Sequence, residues 1–246
     1  MARRRTSHKA KLMHRTGAMS HTLPHKRIPA ENSPNGVYER IKSRLIRYEF
    51  PVGRRIVIEK LADQLFVSAT PVREALARLT AERFVQDIPN AGFFAKPLSQ
   101  TELSDLYDLL ELLLGWSASR AAERTAGPGP LKPPDFKREF EDAVRDRPDA
   151  VAGLASDLFH HLARQSGNED LIRLVSNLND RTLHARWKTY EAFGDPNKAL
   201  LRVFEAYSSL DFPAVGTALS AYFLELREWL PGLFRSLARS RVRTAR

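Results

Sequence analysis

The stretch FVSATPVREALARLTAERFV, residues 66–85, decides the fold of the N-terminal part of this chain. After a tight connection at Phe66 and Val67, either Ser68 or Thr70 is placed to cap a new helix. Pro71 is tolerated there, because the first turn of a helix leaves its backbone amides unpaired anyway. The apolar residues that follow have helical spacing and predict the buried face of this helix: Val72, Ala75, Leu76 and Leu79.

Two further helices and a hairpin surround this stretch. Apolar residues at helical spacing predict helices over 36–48 and 58–65, and FPVGRR at 50–55 separates them. After the third helix, FVQDIPNAGFFAKP (84–97) has two short β-type runs around PNAG, which is a hairpin signal. Three helices and a hairpin, with the third helix turned tightly from the second, predict a winged helix-turn-helix. Such a fold places the start of its third helix against base edges in the major groove of DNA.

Arg73 is the candidate for reading those edges. Thr70 and Arg73 share the helix face opposite Val72 and Leu76. An arginine in that position suits a guanine edge or a phosphate. From the residues alone it is equally well a solvated side chain of a surface helix, so both interpretations stay open.

The net charge of +10 is spread unevenly along the chain. Residues 1–30 hold eight lysines or arginines and no acidic residue, whereas residues 98–228 hold fifteen basic and twenty-one acidic residues. A basic arm of this kind is typical of polyanion binding, because contacts with phosphates release counterions. A solubilising tail, an organellar transit peptide or a start site assigned too early, with Met13 and Met19 downstream, remain alternatives.

Composition restricts the class of protein. The 246 residues include 43% hydrophobic residues and no cysteine, which excludes disulfides and cysteine metal clusters. No apolar run approaches the roughly 20 residues of a membrane helix, and the N-terminus lacks a secretory pattern. We therefore expect a cytoplasmic protein that does not associate with membranes.

The second half of the chain is predicted to be helical throughout. Ser99 and Glu102 form a capping box, and an apolar stripe of leucines follows until GPGPLKPP (127–134) ends the helix. Further helices are predicted over 135–146, 149–165, 169–193, 197–209 and 213–238. The fold class is thus mainly α, and three parts are expected: a basic disordered arm (1–33), a winged helix-turn-helix (34–97) and an all-helical bundle (98–246).

The first part of the fold resembles the DNA-binding domain of the GntR regulators. TPVREAL (70–76), Gly53, Leu61 with Ala62, and Val67 with Ser68 match the typical run of that family. The resemblance implies that four residues face DNA: Ser68, Thr70, Arg73 and Gly92. Two positions depart from the pattern, since Ala69 and Ala91 stand where the family usually has arginine.

Two stretches of the bundle, RQSGNEDLIRLV (164–175) and AYSSLDFPAVGTAL (206–219), carry a second and looser resemblance. They are similar to motifs of the ligand-sensing FCD domain of the FadR-type subfamily. Most such domains hold a divalent metal, but the corresponding positions here are Ala155, Phe159, Leu200 and Tyr222. We therefore expect neither metal nor cofactor. If a metal were bound, Asp157 and His161, four residues apart on one helix, would be its ligands.

Apolar residues replace the charged ones that the subfamily usually carries. A tentative pocket for an apolar or acyl-type effector would be lined by Leu110, Leu114, Phe159, Leu200 and Tyr222, with Arg181 or Arg186 as polar anchor. The alternative is a filled core without a ligand.

No catalytic constellation occurs in the sequence: there is no phosphate loop, no GxSxG, no HExxH and no cysteine nucleophile. The resemblance therefore predicts a transcriptional regulator rather than an enzyme. We expect a homodimeric repressor that binds a pseudo-palindromic operator in double-stranded DNA and is released by a small-molecule effector. The alternative is a nonspecific DNA-coating protein in which the arm dominates and the bundle only dimerises.

Overall fold

The computed structural model describes residues 33–51, 53–123, 130–143, 147–193 and 197–244. Apart from Ser33, the predicted basic arm lies outside the described residues.

The N-terminal unit has three helices and a two-stranded sheet. They are α1 (Pro34–Ile46), α2 (Ile58–Leu65), α3 (Ala69–Ala81), β1 (Val85–Ile88) and β2 (Gly92–Ala95). The first helix begins two residues before the predicted start at 36, because the Ser33 hydroxyl caps it, accepting a hydrogen bond from the Gly36 amide at 3.1 Å, and Pro34 fits its first turn. It ends at Ile46 rather than 48, since Tyr48 adopts a left-handed backbone with φ 56°.

The hairpin forms the wing. Strands β1 and β2 pair antiparallel, with Val85 opposite Ala95 and Ile88 opposite Gly92. The chain reverses through Asn90 (φ 64°) and Gly92 (φ 94°), both in the left-handed region that asparagine and glycine tolerate. Residues 53–56 extend along the other edge of β2: the Ile56 amide donates to the Phe93 carbonyl, and the Ala95 amide donates to the Arg54 carbonyl.

The C-terminal unit is all-helical. It comprises α4 (Gln100–Glu123), α5 (Phe136–Ala143), α6 (Pro148–Gln165), α7 (Glu169–Phe193), α8 (Asn197–Ser208) and α9 (Phe212–Thr244). The last helix extends six residues past its predicted end at 238. It continues through Pro231 because Leu230 and Leu233 are buried on either side, and the sequence after Gly232 contains no residue that ends helices.

Each unit has its own hydrophobic core. In the N-terminal unit, α1, α2, α3 and the wing share one core that includes Val37, Ile41, Val72, Leu76 and Leu79. In the C-terminal unit, α6 packs on α7, and α4 and α8 pack on α9, around a larger core rich in leucine and aromatic residues. This arrangement confirms the predicted fold class of a winged helix-turn-helix followed by a helical bundle.

None of the described helices combines the length and apolarity that crossing a membrane requires.

Candidate DNA-binding surface and the helical core behind it

The first turn of α3 presents free polar groups to solvent. Ser68 is the N-cap residue by backbone conformation, yet its hydroxyl makes no capping hydrogen bond. Ser68, Thr70 and Arg73 are all exposed, and within the described ranges no hydrogen bond or ion pair holds their side chains. The opposite face of α3 is anchored by Val72 and Leu76, which are completely buried. The apolar face of α3 therefore holds the helix against the core, while the polar side chains of its first turn remain accessible.

The wing carries an arginine that sequence reasoning did not identify. Arg55 forms an isolated bridge with Phe94 of β2, and its exposed side chain lies against Gly92. A Cβ added at Gly92 would lie 3.4 Å from the Arg55 Nε. Arg55 thus places a cation beside the tip of the wing, next to the Ala91 position where the family pattern has arginine. The only signal in the sequence was the Arg54-Arg55 pair before the buried Ile56.

Two other basic side chains of the N-terminal unit are already engaged. Lys42 forms ion pairs with Glu82 at 3.2 Å and with Asp180 at 2.9 Å. Arg78 pairs with Glu82 and lies over the Tyr38 ring. The cations around the start of α3 and the wing differ from these, because Arg55 and Arg73 have no acidic partner among the described residues.

Helix α7 joins the two units. The side-chain amide of Asn177 donates to the backbone carbonyl of Glu82 at 3.1 Å, and Asp180 forms an ion pair with Lys42. One turn further on, the His184 ring stacks on Tyr48 with centroids 4.2 Å apart. Burial lowers the pKa of His184 to about 4, and the charge of Lys188 lowers it further while that of Glu191 opposes the shift.

Glu102 adds a second tie between the units. Its amide donates to the Ser99 hydroxyl at 3.0 Å, which confirms half of the predicted capping box. Its carboxylate does not complete the box but bonds Lys96, next to the wing, at 2.5 Å and Arg181 of α7 at 2.7 Å. Arg181 therefore lies at the joint between the units.

The predicted pocket residues divide into two groups. Leu110, Leu114, Phe159, Leu200 and Tyr222 all belong to the core of the bundle and are completely buried. Arg181 lies outside this cluster, as its contacts with Glu102 show. Arg186, the alternative anchor, is the cation in the core: it is completely buried, and its guanidinium lies 4.9 Å from the centre of the Phe159 ring.

The two residues named as fallback metal ligands, Asp157 and His161, are only partly buried. Burial raises the pKa of Asp157, whereas it lowers that of His161, whose Nδ1 is hydrogen-bonded to the Tyr207 hydroxyl. In the described part of the chain, no three His, Cys, Asp or Glu residues are grouped so as to hold a metal ion. The expected absence of metal stays a prediction.

The sequence of this chain is similar to those of known bacterial regulators. Residues 34–95 match the family model described as bacterial regulatory proteins, gntR family. The chain is 34% identical over 147 residues to the Nta operon transcriptional regulator of Aminobacter aminovorans, an alignment that covers 60% of this chain and 70% of that protein. It is also 31% identical over 71 residues to the transcriptional repressor GlaR of Escherichia coli, covering 29% of this chain and 32% of GlaR.

Solved structures share the fold over most of the chain. Escherichia coli McbR/YncC superposes with a TM-score of 0.63 at 18% identity, covering 82% of this chain and 98% of that one. A putative GntR regulator from Rhodococcus sp. RHA1 gives a TM-score of 0.64 at 17% identity, covering 81% and 97%. Together with the identity to the Nta regulator, the match of the N-terminal unit establishes that the chain belongs to the GntR family of bacterial transcriptional regulators.

Proposed function

We propose that this regulator is a sequence-specific DNA-binding repressor that acts in the cytoplasm as a homodimer. The observation that carries the proposal is the first turn of α3, where Ser68, Thr70 and Arg73 are exposed and unengaged on a firmly seated helix. A side chain already held by another residue would have to break that contact to reach a base. Ser68, Thr70 and Arg73 have no such contact to break among the described residues. The fold docks this turn in the major groove and the wing along the adjacent backbone.

The proposed division of labour follows from side-chain chemistry. Arg73 suits bidentate bonding to guanine, whereas the Ser68 and Thr70 hydroxyls suit phosphate oxygens or base edges. Arg55 beside Gly92 supplies a phosphate contact at the wing. Phosphate contacts fix register and base contacts select sequence, so Arg73 is assigned the larger share of specificity.

An apolar stripe on α4 supports dimerisation. Leu109, Leu112 and Trp116 follow helical spacing on one face of α4 and are 47%, 67% and 43% exposed. Exposed large side chains in a contiguous stripe mark an interaction surface. A two-fold dimer built on this stripe presents two copies of α3, which implies a pseudo-palindromic operator with half-sites spaced by the dimer geometry.

Release from DNA by an effector is proposed to depend on a displacement of α7. One side of this helix carries Asn177, Asp180 and His184, which contact the DNA-binding unit, and another side carries Arg186 in the bundle core. A ligand that binds the core and displaces α7 would change how the DNA-binding unit is held. A ligand without differential affinity for the two arrangements would shift nothing.

The rival function is nonspecific coating of DNA, driven by the basic arm. The eight lysines and arginines of residues 1–30, with no acidic residue among them, favour this alternative. In that case the protein would bind any duplex nearly equally, with a steep dependence on salt.

Selection of bound fragments from genomic DNA separates the two functions. We expect enrichment of a short inverted repeat, bound at physiological salt at least about a thousandfold more tightly than random duplex of equal length. The Arg73→Ala variant, with the arm intact, should lose most of this ratio. Recovery of fragments without a common motif would establish coating and refute the proposed repressor.

A further inference from the structure

A crevice opens to solvent at the joint between the DNA-binding unit and the bundle. Its inner volume of about 30 Å³ exceeds the space that one water molecule needs. Arg83 and Lys96 line it from the side of the DNA-binding unit, whereas Asp180 and Arg181 line it from α7. The other lining residues are aliphatic or aromatic. The crevice therefore combines apolar walls with charged groups that come from both units.

Arg181 is nine-tenths buried at this joint, with 8% of its surface exposed. Its Nη2 donates to the Glu102 carboxylate at 2.7 Å, but its Nε has no acceptor among the described residues. Glu102 does not balance Arg181 alone, because the same carboxylate oxygen also bonds Lys96 at 2.5 Å. A buried guanidinium N–H without an acceptor is unfavourable, so we expect a further acceptor in the crevice.

Arg83 brings a second guanidinium to the same crevice. It follows the end of α3, and its exposed side chain has no hydrogen bond or ion pair in the described part of the chain. Burial lowers the pKa of Arg181, Glu102 opposes that shift, and the charge of Arg83 lowers the pKa further. Two arginines from different units thus share the crevice and repel each other.

The charges around the crevice do not balance. Asp180 is already paired with Lys42 at 2.9 Å, and Glu82, which also pairs with Lys42, is offset by Arg78. The charged lining residues and their direct partners comprise four cations and two anions, namely Arg83, Lys96, Arg181, Lys42, Asp180 and Glu102. Two positive charges are therefore left uncompensated among the described residues.

This excess restricts the chemistry of a ligand. A phosphate group carries a charge of about −1.5 to −2 near neutral pH, which matches two uncompensated cations, whereas a carboxylate carries a single charge. Its oxygens point in several directions and accept hydrogen bonds from donors on different sides, as Arg83 and Arg181 are here. Phe50 and Phe84 in the wall suit an apolar group attached to the phosphate.

The phosphates of bound DNA are not the source of this group. The proposed DNA contacts lie at the first turn of α3, whereas Arg83 follows its last turn. A helix of 13 residues is about 20 Å long, so the crevice lies behind the surface that faces the duplex. The ligand is therefore a small molecule rather than the operator.

We propose that Arg83, Lys96 and Arg181 bind a phosphate group at the joint, either as inorganic phosphate or as part of a small phosphate monoester. The bound group links the two units, because Arg83 belongs to the DNA-binding unit and Arg181 to the bundle. This site is separate from the bundle core, and it does not depend on the proposed repressor function.

Binding is tested on the full chain without DNA. Sodium phosphate and sodium phenyl phosphate are titrated near neutral pH by calorimetry and against thermal unfolding, with sodium acetate as the monoanion and sodium chloride to match ionic strength. We expect one of the two phosphates to bind saturably, at least about tenfold more tightly than acetate, and to raise the melting temperature. The tighter of the two identifies the source as the free ion or an ester. No saturable binding, or equal binding of acetate, would overturn the proposal.

Variants localise the site, since the basic arm also attracts anions. Arg83→Gln should weaken phosphate binding at least about tenfold without lowering the melting temperature in phosphate-free buffer, because its side chain has no partner to lose. Arg173→Gln removes an exposed arginine from α7 and should bind phosphate like wild type.

Arg181→Gln should lose phosphate binding too. It also breaks the pair with Glu102, so its melting temperature should fall and Arg83→Gln is the decisive variant. Unchanged phosphate affinity in Arg83→Gln, or an equal loss in Arg173→Gln, would remove the site from the joint. An Arg83→Gln protein that melts below wild type without phosphate would show that Arg83 serves the fold instead.

Discussion

Among the side chains of the proposed interface, Arg73 is expected to contribute most to the selectivity for DNA sequence. Arg73→Ala should weaken operator binding by about 1–3 kcal/mol and relax selectivity at one base position, because one bidentate contact is lost. Arg73 has no partner among the described residues, so the melting temperature should not change. Arg47→Ala, which removes the same charge from the exposed end of α1, is the control. Equal losses in the two variants would show that Arg73 contributes charge alone.

Arg55 is expected to act on all DNA sequences alike. Arg55→Ala should weaken operator and random duplex by a similar factor and reduce the slope of log affinity against log salt by about 1, as expected for one lost phosphate contact. Its neighbour Arg54 points to the opposite face of the extended segment and is the matched control. A salt slope equal to that of wild type would remove Arg55 from the interface.

His184 should make the joint between the two units sensitive to acid. Burial lowers its pKa from the ordinary 6.5 to about 4, so the unfolded chain binds a proton at a higher pH than the folded one. Its contribution to stability is therefore complete above pH 6.5 and is lost as the pH falls towards 4. Melting temperatures measured across this range should fall less steeply for His184→Gln than for wild type. Parallel curves would contradict the assignment.

The sequence predicted which residues are buried or cap a helix better than it predicted contacts between residues that lie far apart in the chain. Val72 and Leu76 are buried as their spacing predicted, and the Ser99 hydroxyl caps α4. The partner of the Glu102 carboxylate was not predictable, because Arg181 is seventy-nine residues away in sequence and meets it only when α7 crosses the joint. Arg55 was missed for the same reason, since its position depends on the pairing of residues 53–56 with β2.

Dimerisation is proposed to depend on the exposed apolar stripe of α4. Leu112→Glu places a charge in the proposed dimer stripe, where Leu112 is 67% exposed in the single chain. We expect the variant to sediment as a monomer in analytical ultracentrifugation. Its affinity for the full operator should fall by more than its affinity for an isolated half-site. Leu174→Glu, at an exposed position of α7, is the control for adding charge to a helix surface. A dimeric Leu112→Glu protein would move the interface elsewhere.

Helix existence was predictable and helix ends were less so. Periodicity located α2, α6, α7 and α8 within one residue at each end. The predicted end of α9 at 238 falls six residues short of Thr244, because the sequence after Gly232 contains no glycine or proline that would mark where the helix stops.

Deletion of residues 1–30 tests whether the basic arm contributes to DNA binding. The arm carries eight cations, so its removal should weaken specific and random binding alike and flatten the salt slope by several units. The melting temperature should remain that of the full chain, because the two cores lie within the described residues from 33 onward. Ala69→Arg in the truncated protein should recover part of the lost affinity. Unchanged affinity and slope after truncation would show that the arm takes no part in binding.

Helix α7 touches the DNA-binding unit with one side and holds Arg186 in the bundle with another. If the proposed effector and the operator both act through α7, linkage requires that each change the affinity of the protein for the other by the same factor. Protein on its operator would then hold the proposed effector more weakly than free protein does. The number of operator copies in a cell would consequently set the effector concentration at which the regulated genes respond, and extra copies on a plasmid would raise that threshold.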